Sequence, residues 1–314
     1  MSICLCDISA LEVIRSSGKL VDELLESPRC SSLDGCRAPS ALELEDLVAG
    51  LGVRTRPIHV LVPRGGPTRA VEGACLHYRA GSVPRGSLIR MRNDVLIAGP
   101  ELAICQLAAR DDIDLVGLAK IVFELCGTYL LDQDEASWKG FINIERPVTS
   151  IAQIERTLAG LGRVHGSVML RKALSVAVEG AHSPMETVLA MLLTMPRIEG
   201  GLGIKGLFLN YPVNTGSTRA IIDAAIPALK VGLEYKGRAY HTIEQSGRDD
   251  RRQNGLVGLG WTILNVWNED LKDDLLFERL QAALFRALDY RFRPSRGFNA
   301  AQWRLRHRLV PGHR

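Results

Sequence analysis

Apolar positions change their period several times along the chain, and each change marks a predicted element. Between residues 7 and 50 they recur at helical spacing, which predicts short helices over Ile8–Arg15, Lys19–Ser27 and Ser40–Ala49. Ser40 stands where its hydroxyl can accept from a first-turn N–H, and Gly50 supplies a stop. From Val53 to Ala98 the apolar runs shorten. Pro57–Val62 reads as a strand, as do Cys75–Arg79, Ser87–Arg92 and Asp94–Ala98 between Gly/Pro turns. Pro100–Ala109 and Ile113–Cys126 return to helix, closed by Gly127. Residues 133–147 are polar and irregular, and two further helices follow over Ser150–Gly160 and His165–Val178.

The last third has a clearer order. Ser183 and Pro184 open a helix that runs to Leu193. Asn210–Val213, Arg219–Ile226 and Val231–Lys236 read as strands, Thr242–Leu259 as a helix ended by Gly260, and Trp261–Trp267 as another strand. Asp270–Tyr290 reads as one long amphipathic helix with Leu271, Leu275, Leu276, Leu280, Leu284 and Leu288 on its apolar face. The fold class is therefore α/β in the broad sense, α+β overall, with a mixed sheet covered by helices in the last third. The expected organisation is an α+β domain over 1–145 with a regulatory or DNA-positioning role, a helical connector over 146–180, a compact domain over 181–290 and a basic tail over 291–314.

Composition narrows the class. With 314 residues and 46% hydrophobic content the chain can bury real cores. No apolar run approaches the ~20 residues of a membrane span, and the first residues lack the pattern of a secretory signal. The expectation is a cytoplasmic protein with no membrane partner. Seven cysteines, all before residue 127, argue against a disulfide framework and read as reduced, mostly buried thiols. The spacing of Cys4, Cys6, Cys30 and Cys36 fits no common zinc knuckle. Net charge is +4, but residues 291–314 hold seven arginines and no acid, leaving 32 basic against 35 acidic residues elsewhere.

Chemistry concentrates in one predicted hairpin. Side chains alternate across a strand, so Glu234 and Lys236 share a face with Gly232. A four-residue turn over 227–230 sets Asp223 opposite Glu234. Two close carboxylates repel each other and invite a divalent cation. Mg²⁺ (or Mn²⁺) would take carboxylate, water and phosphate oxygens there, with Lys236 orienting a water and Gly232 leaving room for a backbone to approach. The same residues are equally what an exposed cross-strand Asp223–Lys236 ion pair would use.

The wider segment, 183–267, resembles the Vsr-like (very-short-patch-repair-like) branch of the PD-(D/E)xK nucleases. The resemblance rests on Ser183-Pro184-Met185-Glu186 opening a helix, Asp223 in an apolar strand and Glu234-Tyr235-Lys236-Gly237. It continues through His241, Gln245, Asp249, Arg252, Leu256 and Gly260-Trp261. It implies a restriction-endonuclease-like sheet, catalysis by Asp223, Glu234 and Lys236, a metal held by Asp223 and Glu234, and Glu186 at the same centre. Asn265 departs from the pattern, which tends to carry Arg there. His241 and Arg252 are candidate DNA contacts. Glu186 is also explained by capping, Asp249 and Arg252 by a helix-surface pair, and Trp261 and Trp267 as core aromatics.

In the tail, Arg304, Arg306 and Arg308 with Phe292, Phe298 and Trp303 could hold phosphates and stack on bases. His59 and His77 lie in apolar strands and read as core or surface histidines rather than ligands. The stretch Arg54–Pro63 faintly resembles AbiEi-like antitoxin regulators. Two functions follow as expectations: a Mg²⁺-dependent DNA endonuclease in repair, defence or mobile-element biology, or a DNA-binding, antitoxin-like regulator on a nuclease scaffold. DNA is the expected partner in both; a homodimer and, for the antitoxin-like reading, a toxin are the protein partners to consider.

Overall fold

The computed structural model describes residues 2–66, 71–132, 140–216, 219–237 and 252–312, with the side chains of 48 and 49 left aside. The chain forms two compact units, Met1–Ser175 and Val176–Arg314.

The first unit contains β1 (Ile3–Leu5), α1 (Asp7–Ser17), α2 (Val21–Glu26), β2 (Arg29–Cys30), α3 (Ala41–Leu51), β3 (Ile58–Pro63), β4 (Ala74–Arg79), β5 (Leu88–Arg90) and β6 (Val95–Ala98). It continues through α4 (Pro100–Leu107), α5 (Leu115–Leu125), β7 (Tyr129–Leu131), β8 (Phe141–Asn143), α6 (Ile151–Leu161) and α7 (Ser167–Val176). Six strands make one sheet in the order β2-β5-β6-β1-β3-β4. Strand β1 is inside that sheet, parallel to β6 and antiparallel to β3. The helix pattern beginning at residue 7 hid it, because a three-residue apolar strand carries no period of its own. Ser40 caps α3 in a reciprocal box with Glu43, as its spacing from the first apolar turn required.

Cys4, Cys6, Cys36, Cys105 and Cys126 are buried, and Cys4, Cys6 and Cys36 pack with Leu33, Leu61, Leu88, Leu96 and Leu102 as small apolar side chains. Helix α6 does not stand apart as a connector. Ile154 and Leu158 are buried and the helix lies against α4, so the expected boundary at 145 moves to 175.

The second unit contains α8 (Pro184–Thr194), β9 (Phe208–Asn214), β10 (Arg219–Ile226), β11 (Val231–Lys236), α9 (252–258), β12 (Thr262–Trp267), α10 (Asn268–Lys272), α11 (Asp274–Ala287) and α12 (Phe298–Leu309). Its sheet has the order β12-β11-β10-β9 and is mixed: β9, β10 and β11 are antiparallel, whereas β11 and β12 are parallel. Leu256 of α9 and Trp261 pack with Val213, Ala220, Ile222 and Ala225 of the sheet. Helix α8 lies against β10 and β11.

Two expectations change here. The helix expected over Asp270–Tyr290 is broken at Asp273, whose extended backbone (ψ 130°) ends α10 while its side chain accepts from Leu276 N–H and starts α11. An aspartate there is worth more as a cap than as a helix interior residue. The basic tail also belongs to the second unit. Phe298, Ala301, Leu305 and Leu309 of α12 are buried, which the arginine-rich composition concealed. No helix among the described residues is long and apolar enough to cross a membrane.

Candidate functional site

Asp223 sits where the sheet of the second unit parts. Strand β10 pairs with β9 on either side of it, at Ile222 with Tyr211 and at Ala224 with Leu209, but the rung joining Asp223 to Asn210 is missing. Asn210 holds a positive φ of 49°, a conformation that asparagine tolerates better than most residues. On the other edge, pairing of β10 with β11 runs from the turn only as far as Ala224 with Leu233. Tyr235 N–H then donates to Asp223 Oδ2 at 2.8 Å. The Ile221 carbonyl accepts from Arg252 Nη1 at 2.7 Å. This local distortion brings Ile222 and Ala225 into one apolar cluster, although strict alternation would put them on opposite faces.

The hairpin register is the one a turn over 227–230 requires, and Asp223 and Glu234 lie one step beyond its last pair. Glu234 is 5% exposed. Its Oε2 accepts from Lys236 Nζ at 2.8 Å and from Arg252 Nη2 at 2.6 Å, while Oε1 is buried and has no hydrogen-bond partner among the described residues. Lys236 therefore pairs with Glu234, two residues away on its own strand, and not with Asp223. In the parallel partner strand Asn265 stands beside Glu234 and is exposed.

Gly232 does not leave room for a substrate backbone. A Cβ there would lie 2.6 Å from Ile222 Cγ2 and 2.8 Å from Ile263 Cδ1, so core side chains already fill the space.

Burial pushes the Asp223 carboxyl up to about 6, against the Tyr235 N–H that favours its charged form; the carboxylates of Glu186 and Glu234 raise it further and Lys236 opposes them. Glu186 thus acts on Asp223 while serving α8. Its Oε2 accepts from His182 N–H at 2.8 Å and Asn210 Nδ2 at 2.6 Å, its Oε1 accepts from Ser183 Oγ at 3.0 Å, and Ser183 Oγ accepts from Glu186 N–H. Capping and proximity to the centre coexist in one side chain.

Asn210 was not singled out by sequence reasoning, since a lone asparagine in a polar stretch reads as a turn. The signal lay in the missing rung, which only pairing reveals. Arg252 was singled out as a DNA contact, but its guanidinium is committed to Glu234 and Ile221. His241, Gln245 and Asp249 lie outside the described residues.

The tail residues divide. Arg304 and Arg308 are exposed, whereas Arg306 is 4% exposed, pairs with Asp274, donates to Leu271 O and stands 4.3 Å over the Phe277 ring. Arg306 is thereby removed from the expected phosphate contacts: its stem and guanidinium are buried against Phe277 and Leu271, while its partner Asp274 stays largely exposed. Phe292 stacks on Phe285 at 4.8 Å and meets Phe298 edge-on at 4.8 Å, so both rings are used within the unit. Trp303 is 45% exposed and lies against His307.

In the first unit, strands β3 and β4 bring three side chains together that the sequence left as unrelated. His59 is the parallel partner of Cys75, and His77 is two residues further along β4. His59 Nδ1 and His77 Nε2 are 2.8 Å apart, and the ligand atoms of all three residues lie within 4.8 Å of one another. Among the described residues this is the one group of three or more His, Cys, Asp or Glu side chains that meets that separation, so the carboxylates of Glu186, Asp223 and Glu234 form a looser set.

Comparison with protein-family models, curated proteins and solved structures finds no match for this chain.

Proposed function

We propose that the Val176–Arg314 unit is a metal-dependent endonuclease domain of the PD-(D/E)xK type, with a restriction-endonuclease-like sheet, which hydrolyses phosphodiester bonds in DNA. The observation that carries this reading is the buried Oε1 of Glu234, which has no hydrogen-bond partner among the described residues and lies one register step from Asp223 where the strands part. A buried carboxylate oxygen without a donor is costly, and a bound cation is one ligand that would satisfy it. Oxygen donors from two carboxylates suit Mg²⁺ or Mn²⁺.

Asp223 and Glu234 would hold the ion, with Glu186 as an outer carboxylate steadied by Asn210. The bound ion would polarise the scissile phosphate and lower the pKa of a coordinated water. Lys236 and Arg252 fix Glu234 through its other oxygen, leaving Oε1 directed to that task. Lys236, half-buried beside the centre, is placed to offset charge gathering on a phosphate. Arg304 and Arg308 supply exposed positive charge for the DNA backbone.

The test is nicking of supercoiled plasmid by the full chain. The expected result is cleavage with Mg²⁺ or Mn²⁺, none with a chelator, and loss of cleavage in Asp223→Ala; undiminished cleavage by that variant would reject the assignment.

One feature favours a second reading. Two cations on Glu234 Oε2 more than offset its charge and make an ion-pair cluster of the kind that steadies a scaffold. In that case the protein is a DNA-binding regulator, antitoxin-like in its use of a partner, and binds DNA in a salt-sensitive way without cutting it.

A further inference from the structure

We propose that His59, Cys75 and His77 form a binding site for one Zn²⁺ ion in the Met1–Ser175 unit, independent of the carboxylate centre in the other unit. The placement follows from strand pairing. In the parallel pair β3–β4, His59 is in register with Cys75 and Leu61 with His77. Side chains alternate along each strand, so His59, Cys75 and His77 emerge on one face. β4 is the edge strand of the six-stranded sheet, and Cys75 and His77 are only half-buried, which leaves a path for an ion to enter.

The distances suit the ion. Zn²⁺ takes imidazole nitrogen at about 2.0–2.1 Å and thiolate sulfur at about 2.3 Å in tetrahedral geometry. Tetrahedral ligands at those bond lengths stand roughly 3.3–3.7 Å from one another. The 2.8 Å between the two ring nitrogens, and the 4.8 Å that bounds the whole group, bracket that separation, so small side-chain rotations suffice. Without metal, the two rings must share a proton between Nδ1 and Nε2. The ion takes the place of that hydrogen.

Donor chemistry selects the metal. Two imidazoles and a thiolate suit zinc and similar transition metals and are poor ligands for Mg²⁺ or Ca²⁺, which require oxygen. On binding, the Cys75 thiol gives its proton to solvent. Each imidazole stays neutral, with its one proton on the nitrogen away from the metal.

For His59 that nitrogen is Nε2, which faces Arg110 Nη1 at 3.3 Å. Metal on Nδ1 turns Nε2 into a donor and ends this contact. Arg110 keeps its other partners, Asp7 Oδ1 at 2.8 Å and Asp112 Oδ2 at 2.6 Å. Those carboxylates also offset the guanidinium charge beside a bound cation. Asp7 Oδ1 is 3.7 Å from His59 Nδ1 but outside the tight group of three. Among the described residues no fourth ligand joins the group, so the remaining coordination position is open to water or an outside ligand, unlike that of a closed structural site.

The experiment titrates the metal-free, full-length protein with Co²⁺ and then displaces it with Zn²⁺. One equivalent of Co²⁺ should produce a sulfur-to-metal charge-transfer band with the visible absorption of tetrahedral cobalt, and Zn²⁺ should abolish both. Cys75→Ser should remove the charge-transfer band, whereas Cys105→Ser should keep it. His77→Ala should weaken Zn²⁺ binding by more than the roughly 10–100-fold that loss of an outer-shell partner costs. Asp223→Ala should leave the band unchanged, which separates this site from the nuclease reading. Absence of a charge-transfer band in the wild-type protein would overturn the site, and so would Zn²⁺ affinity unaltered in a folded Cys75→Ser. Should that variant fail to fold, the wild-type cobalt spectrum decides alone.

Discussion

Arg252 Nη2 lies 2.6 Å from Glu234 Oε2, the oxygen that Lys236 also holds, and neither cation reaches Oε1 of the same carboxylate. Removing one partner of a buried pair leaves its charge uncompensated. Arg252→Ala should therefore lower stability by about 2 kcal/mol, less than a fully buried pair because the guanidinium is 29% exposed and Lys236 remains. Chemical denaturation measures it. Glu234→Gln combined with Arg252→Ala should cost less than the two single changes together; full additivity would show that the pair is not coupled.

Asp223 gives a pH test. Its folded carboxyl titrates near 6 instead of the ordinary 3.8, so the folded protein binds this proton more tightly than the unfolded chain does. The associated stability is complete below the ordinary value and is lost as pH rises through about 6. Asp223→Asn retains an acceptor for Tyr235 N–H and carries no charge. In the presence of a chelator it should be more stable than wild type by about 2–3 kcal/mol at pH 8, since each pH unit between the folded and unfolded values is worth about 1.4 kcal/mol. The difference should vanish near pH 4. A pH-independent difference would contradict the burial argument.

Divalent cation should act on the same carboxyl in the opposite sense. If Asp223 and Glu234 hold Mg²⁺ or Mn²⁺, the ion stabilises wild type by about 2.7 kcal/mol at a concentration 100 times its Kd. Thermal denaturation with and without metal should show a rise in wild type and none in Asp223→Ala. An equal rise in both would place the binding elsewhere.

Gly232 should resist enlargement for reasons of packing alone. Its missing Cβ is replaced by Ile222 Cγ2 and Ile263 Cδ1. Gly232→Ala should cost about 1–3 kcal/mol by overpacking. Shortening Ile263 to Val in the same chain should recover part of that loss, as read from denaturation midpoints; no recovery would point to backbone strain.

Tail arginines should separate by role. Arg306→Ala should destabilise the second unit, because it empties a buried position and removes the guanidinium from the Phe277 ring and the Leu271 carbonyl, whereas Asp274 is largely exposed and stays hydrated. Arg304→Ala should leave stability unchanged. If Arg304 contacts DNA, the variant should weaken binding across all sequences and reduce the salt dependence by about 0.9 in log–log slope. An unchanged slope would remove Arg304 from the interface.

Most strands and helices were legible because their apolar periods are strong, as in β10, β11 and α5. The Asp223–Glu234 juxtaposition was legible too, since turn length fixes register across a hairpin. What escaped depends on long-range pairing. Strand β1 is too short to show a period. His59 and Cys75 meet only because β3 and β4 are parallel, and no local turn announces a parallel pair. Arg306 resembles its neighbours in composition and differs only in which side of α12 it occupies. The arginine that grips Glu234 was read as surface because its partner is distant along the chain and lies beneath it.

That grip has a consequence for how the unit can change. Strand β12 runs the same way as β11, and α9, which carries Arg252, precedes it in the chain. Any rearrangement of α9 also relocates a guanidinium. Topology and charge placement are thereby inherited together, and a descendant that moves this helix leaves its buried acid to Lys236 alone.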